Sequence, residues 1–481
     1  MDRRNFIRLS GAAAGALLAA RAREVEAQEH AGQSRAAAGG AHTHPSDPAA
    51  GPPATTPATP LAVTRLREAG GAPAVITPNG STLPLRTVGG VKVGHLIASP
   101  VQHTFAPGLT AECWGYNGGT PGPTIELVEG DRVRFYVTNR LPEPTTVHWH
   151  GLIVPNGMDG VAGLNQVPIP VGETYAYEFT VKHPGTFMYH SHFDEMTQIA
   201  LGMAGMFIVH PRRPRGPRVD RDFALMTHEW RLDVGARRPD PNEMTDFNVL
   251  TFNSKSFPGT APLLVGRGER VRIRLGNLSP MDHHPIHIHG VSFKLTATDG
   301  GYVPESAQLP ETTVLVPVGS TRVIEFVADE PGDWAMHCHM THHVMTQMGH
   351  GLPPLIGADM SRVDRRMGRV FPGYMTMGTR GMGSMGEMEM PIPGNSLPMR
   401  GGPGPFGPID MGGMFTLLKV RDNPDSADPD GWYTHPAGSV AGPADPERLR
   451  ADGIVVDAGT SHNDSPGEGQ LPSGKAPESP T

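Results

Sequence analysis

Four times in this chain two histidines stand one residue apart: His148 and His150, His190 and His192, His287 and His289, His337 and His339. In an extended strand, residues i and i+2 point to one face, ~6.6 Å apart along the chain. The sequence around the pairs agrees with strands. "GPTIELVEGDRVRFYVTNRL" alternates apolar and polar residues about a Gly-Asp turn, and "ETYAYEFTV", "GTFMYHSH" and "GMAGMFIVH" continue the pattern. Turns roughly every ten residues predict a β-sandwich.

This grammar runs over about residues 85–212 and returns over about 220–350, in "FALMTHEW", "ERVRIRLGNLS", "SFKLTATDG", "STRVIEFVA" and "GDWAMHCH". Glu129-Gly130-Asp131-Arg132-Val133 is echoed by Arg267-Gly268-Glu269-Arg270-Val271, which predicts one sandwich used twice. The expected domains are 81–213 and 214–422. A segment at 353–413 interrupts the second: eleven of the chain's 24 methionines fall between Met360 and Met414, among Gly and Pro. "MFTLLKVRD" then reads as a last strand, and 423–481 as a disordered tail. Residues 1–27, with Arg3-Arg4, a short apolar run and Val25-Glu26-Ala27, read as a twin-arginine signal peptide, so the protein is expected in the periplasm or secreted. Residues 28–80 read as a flexible linker. No later stretch reaches the ~18 apolar residues of a membrane span. The net charge of -8 speaks against nucleic acid as a main partner.

The four pairs together present eight imidazoles, more than a zinc site uses, and imidazole sites in this metal series bind copper most strongly. Only two cysteines exist, Cys113 and Cys338. Cys338 sits between His337 and His339, so on a strand its sulfur points to the opposite face. His343 lies five residues on, Met348 ten on, and His284 just outside the third pair. Two His, one thiolate and a distant thioether make a trigonal copper site for electron transfer. The stretch "HCHMTHHVMTQM" thus serves two copper sites, joined by the backbone around Cys338. Cys113 has no His neighbour and reads as a small buried apolar residue. A copper store or chaperone without turnover is the alternative from another class.

The motifs "HWHG", "HHPIHIHG", "HSH" and "HCHMTHHVMTQM" resemble those of multicopper oxidases over residues ~85 to 350. The resemblance implies two cupredoxin-like Greek-key sandwiches in an all-β chain. It implies four coppers per functional unit. Type 1 would lie on His284, Cys338, His343 and Met348. Type 2 would lie on His148 and His287, and the type 3 pair on His150, His190, His192, His289, His337 and His339. It further implies one-electron oxidation of a small reducing substrate, a phenol, an aromatic amine or Cu(I), coupled to reduction of O2 to water. About 90 residues separate His192 from His284, too few for a middle domain, so the chain resembles the two-domain, small laccase-like type. In that type the cluster forms between subunits of a homotrimer. Copper nitrite reductases place the type 1 Cys in the first domain, where this chain has "HSH". Asp159, in "MDG", matches a family carboxylate that relays protons; it also suits an ordinary Asp-Gly turn. The family's acidic residue after the position of His343 is here Val344, so a second relay falls to Asp194 or Glu195, or is missing. His283, His342 and His350 match no family role. Soft thioethers prefer Cu(I), so the Met-rich segment favours a cuprous substrate.

Overall fold

The computed structural model describes residues 72–346, 355–372, 374, 376, 379, 393–398, 401–425 and 427–456. The expected leader lies outside these residues, as do most of the linker, Met348 and His350. In chain order the strands of the first half are β1 (Val75–Ile76), β2 (Arg86–Val88), β3 (Val91–Ala106), β4 (Leu109–Tyr116), β5 (Ile125–Val128), β6 (Arg132–Asn139), β7 (Thr174–Thr180), β8 (Gly185–His190) and β9 (Ala204–His210). A helix α1 (Glu195–Ala200) follows β8. One sheet runs β2-β3-β6-β7 with β4 on β3, and it faces a second sheet, β5-β9-β8. Between them lies a core built from every second residue: Val133, Phe135 and Val137 of β6, Phe187 and Tyr189 of β8, Phe207 and Val209 of β9. Trp149 is fully buried in that core, in ring contact with Phe135 at 5.0 Å and Tyr177 at 5.4 Å. Its burial fixes the alternation that turns His148 and His150 the other way.

The second half holds β10 (Arg221–Trp230), β11 (Val249–Phe252), β12 (Leu263–Gly266), β13 (Arg270–Asn277), β14 (His284–Ile288), β15 (Phe293–Thr298), β16 (Gly301–Tyr302), β17 (Pro310–Glu311), β18 (Thr313–Val316), β19 (Ser320–Val327) and β20 (Gly332–Cys338). After these come α2 (Ser361–Gly368), a small hairpin of β21 (Pro403–Gly404) and β22 (Gly407–Pro408), β23 (Phe415–Arg421) and α3 (Pro446–Ala451). The sheet β1-β10-β13-β19-β15-β16 packs on the sheet β12-β23-β20-β14-β18 through Ile273, Ile286, Ile288, Ile324, Met336 and Leu418. The expected β-sandwich, used twice, is what the strands build. The "MFTLLKVRD" strand is β23 and pairs β20 along Gly332–His337.

Two expectations, on the linker and on the tail, need correction. The linker was expected to be flexible to residue 80, yet β1 pairs in parallel with β10, Val75 opposite Asp222, and the Val75 N–H donates to the Glu126 carboxylate at 3.3 Å. The linker contains a β-branched apolar pair, Val75-Ile76, that fills a sheet edge. Parts of the Met-rich segment are built in: Asn395 exchanges hydrogen bonds with the Thr110 backbone at 2.8 and 2.9 Å, and Leu397 is buried beside Phe105 and Trp230. The tail was expected to be disordered from 423, yet Lys419 Nζ donates to the carbonyls of Pro429 and Gly431 at 2.6 and 3.0 Å. The Tyr433 N–H donates to Asp333 at 2.7 Å, which latches the chain against β20 and β23.

A buried charge network joins the two sandwiches. Asp222, fully buried on β10, accepts from Arg274 at 2.8 Å twice, and Arg274 Nη1 also donates to Thr186 on β8 at 2.7 Å. Burial alone would raise the Asp222 carboxyl, but Arg274 and Arg272 outweigh it and hold it below its ordinary value of 3.8. The network therefore stabilises fully above that ordinary value and weakens as pH falls through the lower folded value. Asp222→Ala leaves the buried Arg274 without its carboxylate, while Arg272 keeps Glu325 at 2.7 Å, and is expected to cost about 3–5 kcal/mol, read as a lower denaturant midpoint at neutral pH. A midpoint within about 1 kcal/mol of wild type would mean that solvent replaces the carboxylate.

Candidate metal centres

Strand alternation sorts the last two histidine pairs and the cysteine onto different faces. In the β14–β20 ladder His287 stands opposite His337 and Ile286 opposite Cys338. Ile286, Ile288, Met336 and Cys338 point into the core. His287, His289, His337 and His339 gather on the other side, with ring centroids 4.9–5.6 Å apart. In the first sandwich His148, His150, His190 and His192 gather likewise at 5.3–6.0 Å. The backbone bridge between His148 and His190 brings the two motifs together.

On the core side of β20, Cys338 is fully buried with His284, and His343 is almost so. The 3-10 turn Thr341–Val344 returns the chain and sets His343 beside them. Cys338 Sγ lies 3.5 Å from His343 Nδ1 and 3.8 Å from His284 Nδ1, and the two Nδ1 atoms are 3.3 Å apart. A point equidistant from three atoms so spaced is about 2 Å from each, which is a first-row metal–ligand distance. Each imidazole also has a partner for its other nitrogen. His284 Nε2 meets Ser279 Oγ at 2.7 Å, and His343 Nε2 faces Asp282 at 3.4 Å. Such outer contacts fix the ring and leave Nδ1 for a metal. Burial pushes the Cys338 thiol up to about 12 and the two histidines below their ordinary value, His284 well below it. Neutral imidazoles and a thiol that needs a cation to ionise are the donor set of a soft-metal site. The donors fit copper.

The quartets are prepared in the same way. His148 Nδ1 faces the Asp159 carbonyl at 2.8 Å, His190 Nδ1 the Ser191 carbonyl at 2.7 Å, His287 Nδ1 the Thr312 carbonyl at 2.7 Å and His337 Nδ1 the Cys338 carbonyl at 2.9 Å. Each of these rings thereby keeps Nε2 for a metal. His150 is turned around: its Nε2 meets the Gly319 carbonyl at 2.8 Å, and its Nδ1 lies 3.3 Å from His190 Nε2. Burial holds His190 down at about 3, and His150, His289 and His337 below their ordinary value, so these rings are neutral at pH 7. Among the described residues no hydrogen bond or ring contact joins the two quartets.

Asp159 lies against the first quartet, with Oδ1 3.5 Å from His148 Nδ1. Glu195 does too, at 3.2 Å from His192 Nε2, whereas Asp194 opens α1 in a left-handed conformation without a side-chain capping bond. His283 Nδ1 accepts the Val318 N–H at 3.1 Å, and His342 is exposed. Cys113 is a fully buried core residue beside Val101, Leu109 and Ala111. Sequence reading missed Ser279, Asp282, Gly319 and Glu229. Glu229 is fully buried; its Oε1 accepts the N–H groups of Met281 and Asp282 at 2.7 and 2.9 Å, which shapes the loop that carries His284. Burial, then the nearby Asp282, raise its carboxyl to about 8. Its one sequence signal was an acid inside the apolar run "FALMTHEW".

A family model described as multicopper oxidase matches residues 98–214, and a second of the same description matches 233–353. Copper resistance protein A of Escherichia coli is 32% identical over 236 residues, which are 39% of this chain and 38% of that protein. Laccase-1 of Cryptococcus neoformans is 40% identical over 193 residues, 38% of this chain and 30% of that protein. The chain thus spans under two fifths of the length of these relatives. The solved structure of the multicopper oxidase mgLAC matches with a TM-score of 0.52 at 28% identity, covering 72% of this chain and 90% of that one. One family description falls on each cupredoxin-like sandwich, and the chain belongs to the multicopper oxidases.

Proposed function

We propose that this protein is a copper-dependent oxidase, which couples one-electron oxidation of a small substrate to the four-electron reduction of O2 to water. The observation that carries the reading is β20, which aims Cys338 at one donor set and its covalent neighbours His337 and His339 at another. Copper on His284, Cys338, His343 and Met348 would take up single electrons, and three coppers on the eight paired histidines would deliver four to O2. His148 and His287 are assigned to type 2, and the other six paired histidines to type 3. The chain's own part is to keep His284, Cys338 and His343 buried and to orient His148, His150, His190, His287 and His337 by their outer hydrogen bonds. The route between the sites is one peptide link of backbone either way, shortened by the contact of His337 Nδ1 with the Cys338 carbonyl at 2.9 Å.

Each quartet offers four histidines, and the two stand apart within the described chain. The reading therefore places the first sandwich of one copy against the second sandwich of the next, closing into a homotrimer. Domains at 81–213 and 214–422 are the units of this arrangement. Reduction of O2 consumes protons, and Asp159, within reach of His148, is assigned as the relay, with Glu195 beside His192 as a second carboxylate. Export by the twin-arginine route to the periplasm or beyond follows from the arginine-led start.

Cu(I) and phenols or aromatic amines are the candidate donors. The methionines favour Cu(I), and one relative carries copper resistance in its name while another is named laccase. Oxygen uptake by the copper-loaded protein, with Cu(I) and a simple phenol as rival donors, tests the oxidase reading; no uptake with either leaves a copper store. Deleting residues 377–392 removes five methionines but keeps α2 and the Asn395–Leu397 anchor. It is expected to lower Cu(I) oxidation at least about tenfold while phenol turnover stays within about twofold. Equal loss of both would reject a cuprous role for that segment.

A further inference from the structure

We propose that a cleft at the far end of the first sandwich binds phosphate groups. The cleft, about 500 Å³, lies between the turn after β5, the end of β7 and the segment after β9, lined by Gly130, Thr180, Lys182, Arg212, Arg213 and Arg215 with Glu129. The chain as a whole is acidic at -8, yet this one concavity gathers four cations against one carboxylate. Summed charge of one sign in a cleft focuses the field on an incoming counter-ion.

The positive charge is not spent internally. Arg212 is fixed by a neutral acceptor: its Nε and Nη2 donate to the Glu129 carbonyl at 3.2 and 3.0 Å. Gly130, at φ +88°, makes the seat, because a Cβ there would collide with Arg212 Nη2. The guanidinium is thus held in place with its Nη1 edge unused by that contact. Glu129 Oε2 accepts the backbone N–H of Arg212 at 3.3 Å, and the next acid, Asp131, is taken by Lys92 at 2.9 Å. Among the described residues no ion pair engages Lys182, Arg213 or Arg215. Three of the four cations are arginines, whose planar forks match phosphate oxygens two at a time. Thr180 adds an exposed hydroxyl at the rim. A merely solvated basic linker has no need of a concave seat.

The cleft adjoins His210, whereas the first quartet sits at the opposite end of the β8–β9 pair, where His190 faces Ala204. Six residues along β9 separate them by roughly 20 Å, so changes in the cleft leave the metal donors untouched. The phosphate could come from a soluble pyrophosphate-type ligand or from anionic lipid headgroups, and the experiment separates the two. Copper-loaded protein is titrated calorimetrically with sodium pyrophosphate at low salt, and is co-sedimented with vesicles of phosphatidylglycerol and phosphatidylethanolamine against phosphatidylcholine blanks. Arg213→Glu with Arg215→Glu is expected to weaken binding at least about tenfold, and Arg→Lys at both about threefold, with unchanged circular dichroism and thermal midpoint. Pyrophosphate binding lost in the charge reversal supports a soluble ligand. Vesicle binding alone, lost in the same variant, supports headgroups. No binding of either probe, or binding indifferent to both substitutions, overturns the proposal.

Discussion

Cys338→Ser is expected to give a protein without intense blue absorption, whose oxygen uptake falls at least about a thousandfold with either donor. The sulfur is the only soft anionic donor in the set. The Cys338 side chain is fully buried, so a serine hydroxyl there stays protonated and cannot replace a thiolate. His284 and His343 keep their outer partners Ser279 and Asp282, and the eight paired histidines are untouched. Copper content should therefore drop by about one atom in four, not collapse. Metal analysis beside the optical spectrum makes the distinction. A variant that stays blue would show that the sulfur is no ligand, and one that turns over normally would sink the oxidase reading. Cys113→Ser, in the core beside Leu109, is the control and should stay blue.

Mixed assemblies carry the second large effect. His190→Ala disables the first quartet and His337→Ala the second, and each alone should be inactive to within about a thousandth of wild type. Co-expressed in equal amount, they should recover about a quarter of wild-type oxygen uptake. In a closed head-to-tail ring an interface works only when its first sandwich comes from the His337 variant and its second from the His190 variant, one pairing in four. A cluster within one chain would recover nothing. Zero recovery in verified mixed oligomers would therefore end the intersubunit reading, while leaving the Cys338 site as it stands.

What could be read beforehand was what depends on period and chemistry. An H-x-H pair states its own side of a strand, and a cysteine between two histidines must face away from them, which is where β20 puts Cys338. The sandwiches showed in the alternation of β6 and β13 for the same reason. What escaped was set by distant partners. Nothing near Gly319 announces that its carbonyl orients His150, 169 residues away. Nothing in "FALMTHEW" tells that Glu229 shapes the loop of His284. Composition misled at both ends of the described chain. Val75-Ile76 sits in a Pro- and Ala-rich stretch but completes a sheet edge, and the polar tail is latched by Lys419 and Asp333.

The back-to-back arrangement on β20 also separates refuelling from discharge. The donor triangle of His284, Cys338 and His343 stands within one chain, whereas the oxygen chemistry, on the intersubunit reading proposed above, needs two. A protomer cut loose from its neighbours would still accept an electron from its substrate, bleach, and then stay bleached in air. Dilution should thus turn a catalyst into a single-charge capacitor, and the colour that fails to return would report the loss of assembly before any change in mass is measured.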